Sequence, residues 1–203
     1  MNILAIVGSY RKGHVVDTLV DRVLEGALQT HPGAGSEKIH LGDRRIEYCR
    51  NCMVCKKDDP AKPIAHCAVR DDMDELLPKL VAADALVFGT PVNIGAATAL
   101  TKTFLERACW TLAKPGHRPI EGCPEPRTTK SRRAVFVVSA GTVPCWLRWF
   151  CDDATKLLKS WCGSCLGAKA VGSLYAGAVE KRGVAAYEAK ARALGRRLTA
   201  APP

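Results

Sequence analysis

At 203 residues, with 47% hydrophobic and 25% charged side chains, the chain has the length and composition of one globular domain with a full core, which excludes disordered and fibrous classes. Thirty basic against 20 acidic residues give a net charge of +10, which suits a phosphorylated cofactor, nucleic acid or an anionic membrane without choosing among them. The apolar stretch Ile3 to Val7 is too short for a secretory signal or a membrane span, and no later run reaches bilayer length. Ten cysteines in an α/β chain of this size read as metal or redox chemistry in a reducing, cytoplasmic setting.

Apolar runs alternate with helical periodicity five times, the pattern of βα units around a parallel sheet covered on both faces. The first strand is Asn2 to Val7. Ser9-Tyr10-Arg11-Lys12-Gly13 follows and leads into a helix over Val16 to Leu28. Backbone amides, a hydroxyl and two cations at a helix N-terminus make an anion site. The turn carries neither the G-x-G-x-x-G dinucleotide fingerprint nor the G-x4-G-K-[ST] phosphate loop, so the alternatives are a phosphate monoester site and a turn that binds nothing.

After a second strand, Lys38 to Leu41, a long connection holds Cys49, Cys52 and Cys55 at C-x2-C-x2-C spacing and Cys67 twelve positions on. Two-residue gaps let a backbone curl around one centre. Four thiolates there mean zinc or an iron–sulfur cluster, with free or disulfide-forming thiols as the plainer alternative. Asp71 and Asp72 are expected to cap a helix over Met73 to Val81. The third strand, Ala85 to Gly89, ends in Thr90-Pro91-Val92-Asn93-Ile94-Gly95.

A helix over Ala97 to Cys109 follows, on which Glu106 and Arg107 read as a surface pair. A second long connection, Thr111 to Arg133, is rich in Pro, Gly and basic residues and has the length of a lid or binding loop. The basic clusters Lys130, Arg132, Arg133 and Arg192, Arg196, Arg197 lack aromatic interleaving or a groove-reading motif, so solvated faces are expected and nucleic acid is not. The fourth strand, Ala134 to Ser139, runs into Ala140-Gly141-Thr142 and a helix over Trp146 to Trp161, where Trp146, Trp149 and Phe150 read as core or a subunit contact. A fifth strand over Ala170 to Tyr175 and a helix over Val184 to Leu198 complete the chain.

Cys162 and Cys165 have C-x-x-C spacing, but they fall at a helix C-terminus, where a thiol gains no acidity, and are expected to be buried or incidental. Cys109, Cys145 and Cys151 read as small core residues. His14 and His66 flank the two candidate sites as proton donors or exposed side chains. No repeat or linker divides residues 1–203, so one domain is expected, with a cysteine-rich insertion at about 44–70 and a basic loop at about 111–133. Ligands of open parallel sheets sit beyond the carboxyl ends of the strands, which brings the first, third and fourth strand loops to one crevice.

GSYRKG after the first strand, the cysteine run leading into VRDDMDELLPKLVAADALVFGTPV, and LTKTFLERA together resemble the flavodoxin-like NADPH-dependent FMN reductase family, and within it the iron–sulfur flavoproteins, over about residues 1 to 175. The resemblance implies an α/β flavodoxin-like three-layer sandwich with a five-stranded parallel sheet in the order 2-1-3-4-5. It implies FMN, with Ser9, Arg11, Lys12 and Gly13 holding phosphate. Thr90, Pro91, Val92, Asn93, Ile94 and Gly95 would line the ring, and Ser139, Ala140 and Gly141 would close its far side.

Cys49, Cys52, Cys55 and Cys67 would match the ligands of a 4Fe-4S cluster, with zinc as the alternative. NAD(P)H or a protein would donate electrons, a small molecule or a protein would accept them, and the chain would form a homo-dimer or homo-tetramer. Three positions depart from the family pattern. Val15-Val16 replaces an Asn-Thr pair, Asn93 replaces an aromatic residue, and the step from Cys55 to Cys67 is long, so Lys56 to His66 must loop out if Cys67 is a ligand. Two functions follow: an FMN-dependent electron-transfer oxidoreductase, or a flavodoxin-like scaffold without FMN that keeps a zinc or thiol redox-sensing site.

Overall fold

The computed structural model describes residues 1–117 and 120–200; positions 118 and 119 of the expected basic loop lie outside the described residues. In chain order the elements are β1 (Asn2–Val7), α1 (Val15–Thr30), β2 (Gly35–His40), α2 (Met73–Ala82), β3 (Ala85–Asn93), β4 (Ala96–Ala97), α3 (Ala99–Leu112), β5 (Ala113–Pro115), β6 (Pro124–Pro126), β7 (Arg132–Ser139), α4 (Arg148–Cys151), α5 (Asp153–Leu166), β8 (Ala168–Ala176), α6 (Val179–Arg182) and α7 (Ala185–Thr199). Among the described residues no helix is long and apolar enough to cross a membrane.

Alternation along each strand explains the sheet. In β1, Ile3, Ala5 and Val7 join one apolar cluster with Val16, Val20 and Val23 of α1 and Leu194 of α7, while Leu4 and Ile6 join a second with Leu76 of α2, Phe104 of α3 and Leu158 of α5. A strand apolar on both faces needs helices on both faces, and parallel pairing supplies them through its crossovers. The strands run parallel in the order β2-β1-β3-β7-β8. That is the flavodoxin-like topology, expected as five strands and found with two additions, the short β4 folded back on β3 and a separate β5–β6 hairpin in the second long connection.

Three expectations are corrected. The apolar pattern over Trp146 to Trp161 breaks at Asp152, whose carboxylate accepts from the Thr155 amide at 2.9 Å and caps α5 as a fresh helix. Trp146 therefore lies on the 3-10 turn Cys145–Leu147 and Trp149 and Phe150 on α4 after it, all exposed and outside the core. Arg132 is not on a solvated face but only 1% exposed, donating to the carbonyls of Val81 and Leu166 at 2.7 and 3.0 Å. It satisfies the carbonyl ends of α2 and α5, where helices lack backbone donors and favour a cation.

Glycines set the closest helix contact. A Cβ on Gly195 of α7 would stand 1.9 Å from the Val23 carbonyl of α1, and one on Gly26 of α1 would stand 2.0 Å from the Arg192 carbonyl of α7. Backbone cannot yield as a flexible side chain can. Gly195→Ala should lower stability by about 1–3 kcal/mol, the usual cost of overpacking, read as the urea midpoint. Gly163→Ala, at an exposed position of α5 with open space around it, should instead add up to about 1 kcal/mol through helix propensity. Equal midpoints for the two variants would refute the close-approach account.

Candidate functional site

β1 stands between β2 and β3, so the chain reverses direction there and leaves a crevice beyond the strand ends. Hydroxyls tie the loops together beneath it. Thr98 Oγ1, at the N-cap of α3, donates to the Gly8 carbonyl at 2.7 Å, and Thr101 Oγ1 lies 3.1 Å from Thr90 Oγ1. A Cβ on Gly8 would meet Thr101 Oγ1 at 1.8 Å, so only glycine lets α3 come this close to the end of β1.

The crevice is a cleft of about 680 Å³. At one end lie Ser9, Tyr10, Arg11 and the start of α1. The first intrahelical bond is Thr18 N–H to the His14 carbonyl, so the amides of Val15, Val16 and Asp17 have no intrahelical acceptor. The side-chain donors lost at Val15-Val16 thus leave main-chain donors in place, backed by the helix dipole. Arg11 has no ion-pair partner among the described residues, whereas Lys12 is engaged with Asp43 at 2.5 Å. The Gly13 amide donates to the buried Asp17 carboxylate at 2.6 Å and is spent on the loop itself, whose φ of 69° at Gly13 suits glycine.

Burial raises the Asp17 carboxyl pKa, but the hydrogen bond from Lys38 at 2.7 Å and that from Gly13, with the charge of His40, outweigh it and hold the group below the ordinary carboxylate range. The loop is therefore fastened from below by a carboxylate that stays charged.

At the other end, Pro91, Val92 and Asn93 of β3 face Ser139, Gly141 and Thr142 after β7. Thr90, Ile94, Gly95, Lys12, Gly13 and Ala140 are not on the cleft wall. Thr90 is fully buried in the hydroxyl network, and Ala140 is held by its amide to the Ala176 carbonyl at 2.9 Å. Ile94 and Gly95 turn the β3–β4 hairpin at φ 51° and 76°, leaving Ile94 fully exposed in a backbone region that disfavours a β-branched residue. Val179 and Glu180 of α6 also line the cleft and were not anticipated, although the carboxyl-end rule applied to the fifth strand would have found them. A Cβ on Gly141 would strike Glu180 Oε1 at 2.5 Å, so glycine admits this carboxylate to the wall.

The cysteine-rich segment packs on the C-terminal half of α3, whereas Thr98 and Thr101 at its N-terminal end join the network beneath the cleft. Cys49, Cys52, Cys55 and Cys67 line one hollow with Met53, Val69, Arg107 and Trp110. Asn51 and Met53, between the cysteines, have φ of 50° and 62°, which curls the run tightly. Lys56 to His66 does loop out. Asp58 closes the excursion by accepting from the His66 amide at 2.7 Å, and that bond, with those from Lys62 and Asp59, holds its carboxyl far below the ordinary range. Burial, then the neighbouring Cys67 and Cys49 sulfurs, push the Cys55 thiol up. Among the described residues no three His, Cys, Asp or Glu groups gather closely enough to hold a metal ion, so the donor set fits a tetra-thiolate centre in chemistry while its sulfurs stand apart.

Arg107 fastens this segment, and its expected role as a surface partner of Glu106 is corrected: Glu106 pairs with Lys102, while Arg107 points inward because a guanidinium can satisfy several acceptors at once. Its two terminal nitrogens meet Asp71 at 2.5 and 3.1 Å, with side-chain exposures of 1% and 0%. They also donate to the Glu47 carbonyl at 2.8 Å and reach Cys67 Sγ at 3.7 Å. Asp71 receives the Met73 amide at 3.0 Å, whereas Asp72, at the N-cap of α2, makes no side-chain cap bond.

Burial raises the Asp71 carboxyl, but the pairing with Arg107 and amide bonds from Glu47 and Met73 hold it below its ordinary value of 3.8. The stability it contributes is present above pH 3.8 and drains away as pH falls through the lower folded-state value. Asp71→Asn should flatten that part of the acid profile. Arg107→Leu, leaving a buried carboxylate unpaired, should cost about 3–5 kcal/mol at neutral pH in urea unfolding. A loss below 1 kcal/mol would refute the pair's structural role.

Residues 1–142 match the family described as NADPH-dependent FMN reductase. An iron–sulfur flavoprotein of Archaeoglobus fulgidus is 34% identical over 119 residues, 59% of this chain and 49% of that protein. Another, of Methanocaldococcus jannaschii, is 31% identical over 108 residues, 53% of this chain and 52% of that protein. The chain thus spans about half the length of the curated relatives it matches. Among solved structures, an FMN-dependent NADH-azoreductase of Bacillus anthracis in complex with FMN aligns with a TM-score of 0.71 at 14% identity, over 98% of this chain and 100% of that one. An NAD(P)H:quinone oxidoreductase from Methanothermobacter marburgensis aligns at 0.68 and 19% identity, over 100% and 99%. Those structural likenesses establish the flavodoxin-like fold. The chain belongs to the NADPH-dependent FMN reductase family.

Proposed function

We propose that the protein is an FMN-dependent oxidoreductase that exchanges electrons between a nicotinamide or protein donor and a small-molecule or protein acceptor, with a four-cysteine iron–sulfur centre beside the flavin site. The observation that carries this reading is the cleft itself. One end offers unpaired helix amides, the Ser9 hydroxyl and the free Arg11 guanidinium, and the other a polar and apolar wall from β3 and β7, in a chain of this family. These groups suit a flat ring with a phosphate tail. When bound, FMN would supply two-electron exchange with a nicotinamide and one-electron exchange with a metal centre.

The chain's own residues would do the rest. The α1 amides and Arg11 would neutralise phosphate, with charge-assisted bonds as the strongest of these contacts. Pro91 to Asn93 and Gly141 would orient the ring and restrict water on either side. Asn93 would offer an amide where the family has an aromatic face. Cys49, Cys52, Cys55 and Cys67 would ligate the second centre, with the Arg107 charge beside Cys67 balancing thiolate. The exposed Trp146, Trp149 and Phe150 support a homo-oligomer, checked by light scattering on the purified protein.

The deciding experiment is an absorption spectrum with iron, sulfide and zinc analysis on protein purified without oxygen. Flavin bands with a broad iron–sulfur shoulder are expected. Arg11→Ala should then weaken FMN binding about tenfold, measured by fluorescence titration. Cys67→Ser should remove iron and leave flavin bound. A colourless, zinc-containing protein that takes up no added FMN would replace this reading with the scaffold, which the engaged Gly13 amide and the side chains of Val15 and Val16 favour.

A further inference from the structure

Outside both sites, α3 and α5 bring two thiols face to face. Cys165 Sγ donates a hydrogen bond to Cys109 Sγ at 3.7 Å, across 56 positions of sequence. Neither sulfur lines the cleft or the four-cysteine hollow. Cys165 is buried, whereas Cys109 is partly buried with some access to solvent, next to Trp110, whose ring carries Lys56 Nζ 4.4 Å from its centre. We propose that Cys109 and Cys165 are a peroxide-oxidisable thiol pair that closes to a disulfide between α3 and α5.

The asymmetry of the pair sets the order of events. The hydrogen bond from Cys165 favours thiolate on Cys109, outweighing its partial burial, and the charges of Lys102 and Lys56 add to it. The same bond, with burial, pushes the Cys165 thiol up, so its proton stays. Thiolate and access together select the attacking sulfur. Cys109 attacks one peroxide oxygen; an S–O bond forms, the O–O bond breaks, and the departing hydroxide takes a proton to become water. Cys165 then attacks the sulfenic sulfur of Cys109; the S–S bond forms, the S–O bond breaks, and hydroxide leaves with the Cys165 proton as a second water. The two thiols lose two electrons and the peroxide gains them. To bond, the sulfurs must close from 3.7 Å to about 2.05 Å. Cys162, one turn earlier on α5, is fully buried and its thiol is pushed up by that burial, so it does not compete.

The test is a hydrogen peroxide titration of the reduced, anaerobically purified protein, followed by alkylation, digestion without reductant and mass spectrometry. The expected product is a linked peptide joining Cys109 to Cys165, lighter by two hydrogens than its reduced parts, and lost on treatment with dithiothreitol. Cys165→Ser should convert it to a Cys109 sulfenic acid trapped by dimedone, and Cys162→Ser should leave the link intact. Cys109 that stays reduced, advances to sulfinic acid without linking, or pairs with a cysteine of the 49–67 segment in the wild-type protein would overturn the proposal, whatever the variants do.

Discussion

A parallel sheet buried on both faces leaves polar chemistry only two places to live, the ends of the strands and the long connections between them. Every described strand residue from Ile3 to Val7 and from Ala85 to Phe88 is apolar and buried. Charge placed there would have no water and no partner. The two candidate sites obey this constraint separately: the cleft gathers turns that leave the carboxyl ends of the strands, and the cysteines occupy the longest connection. Helix α3 serves both, capped by Thr98 beside the cleft at one end and carrying Arg107 to the cysteines nearer the other.

The fastening of the two sites differs in kind. Beneath the cleft it is mostly a web of neutral threonine hydroxyls and a glycine carbonyl, each bond worth about 1 kcal/mol net, with the charged Asp17 and its partner Lys38 holding only the first loop. Beneath the cysteines it is a buried ion pair, whose Coulomb attraction mostly offsets the desolvation of its two members. Such a pair adds little to net stability against an apolar alternative, yet losing one partner is severe. It therefore selects one arrangement of the segment more strongly than it stabilises the chain.

The strand ladder was legible because parallel strands buried on both faces read as unbroken apolar runs, and all five were placed within a few residues of their observed bounds. The ends of these strands located the crevice, since topology alone puts ligands there. What was not legible depends on partners far apart in sequence. Arg107 is followed by no acid at helical spacing, so nothing local announces Asp71 as its partner, 36 positions away. Arg132 sits among cations and reads as surface, although it closes the ends of two helices. The α5 start at Asp152 was hidden by aromatic residues whose periodicity continued across the break.

The Asp58 carboxylate, by holding the His66 amide, joins the two ends of the excursion between Cys55 and Cys67, while Arg127 donates to the Asp59 carbonyl and the Ala65 amide donates to the Thr111 carbonyl, so both ends are also tied to the body of the domain. Chain length at the exposed tip between those anchors is thereby decoupled from the position of Cys67. That tip, Pro60 to Pro63, is then the natural place to graft a reporter or an affinity handle, since loop-closure entropy changes slowly with added residues while the anchored ends stay fixed.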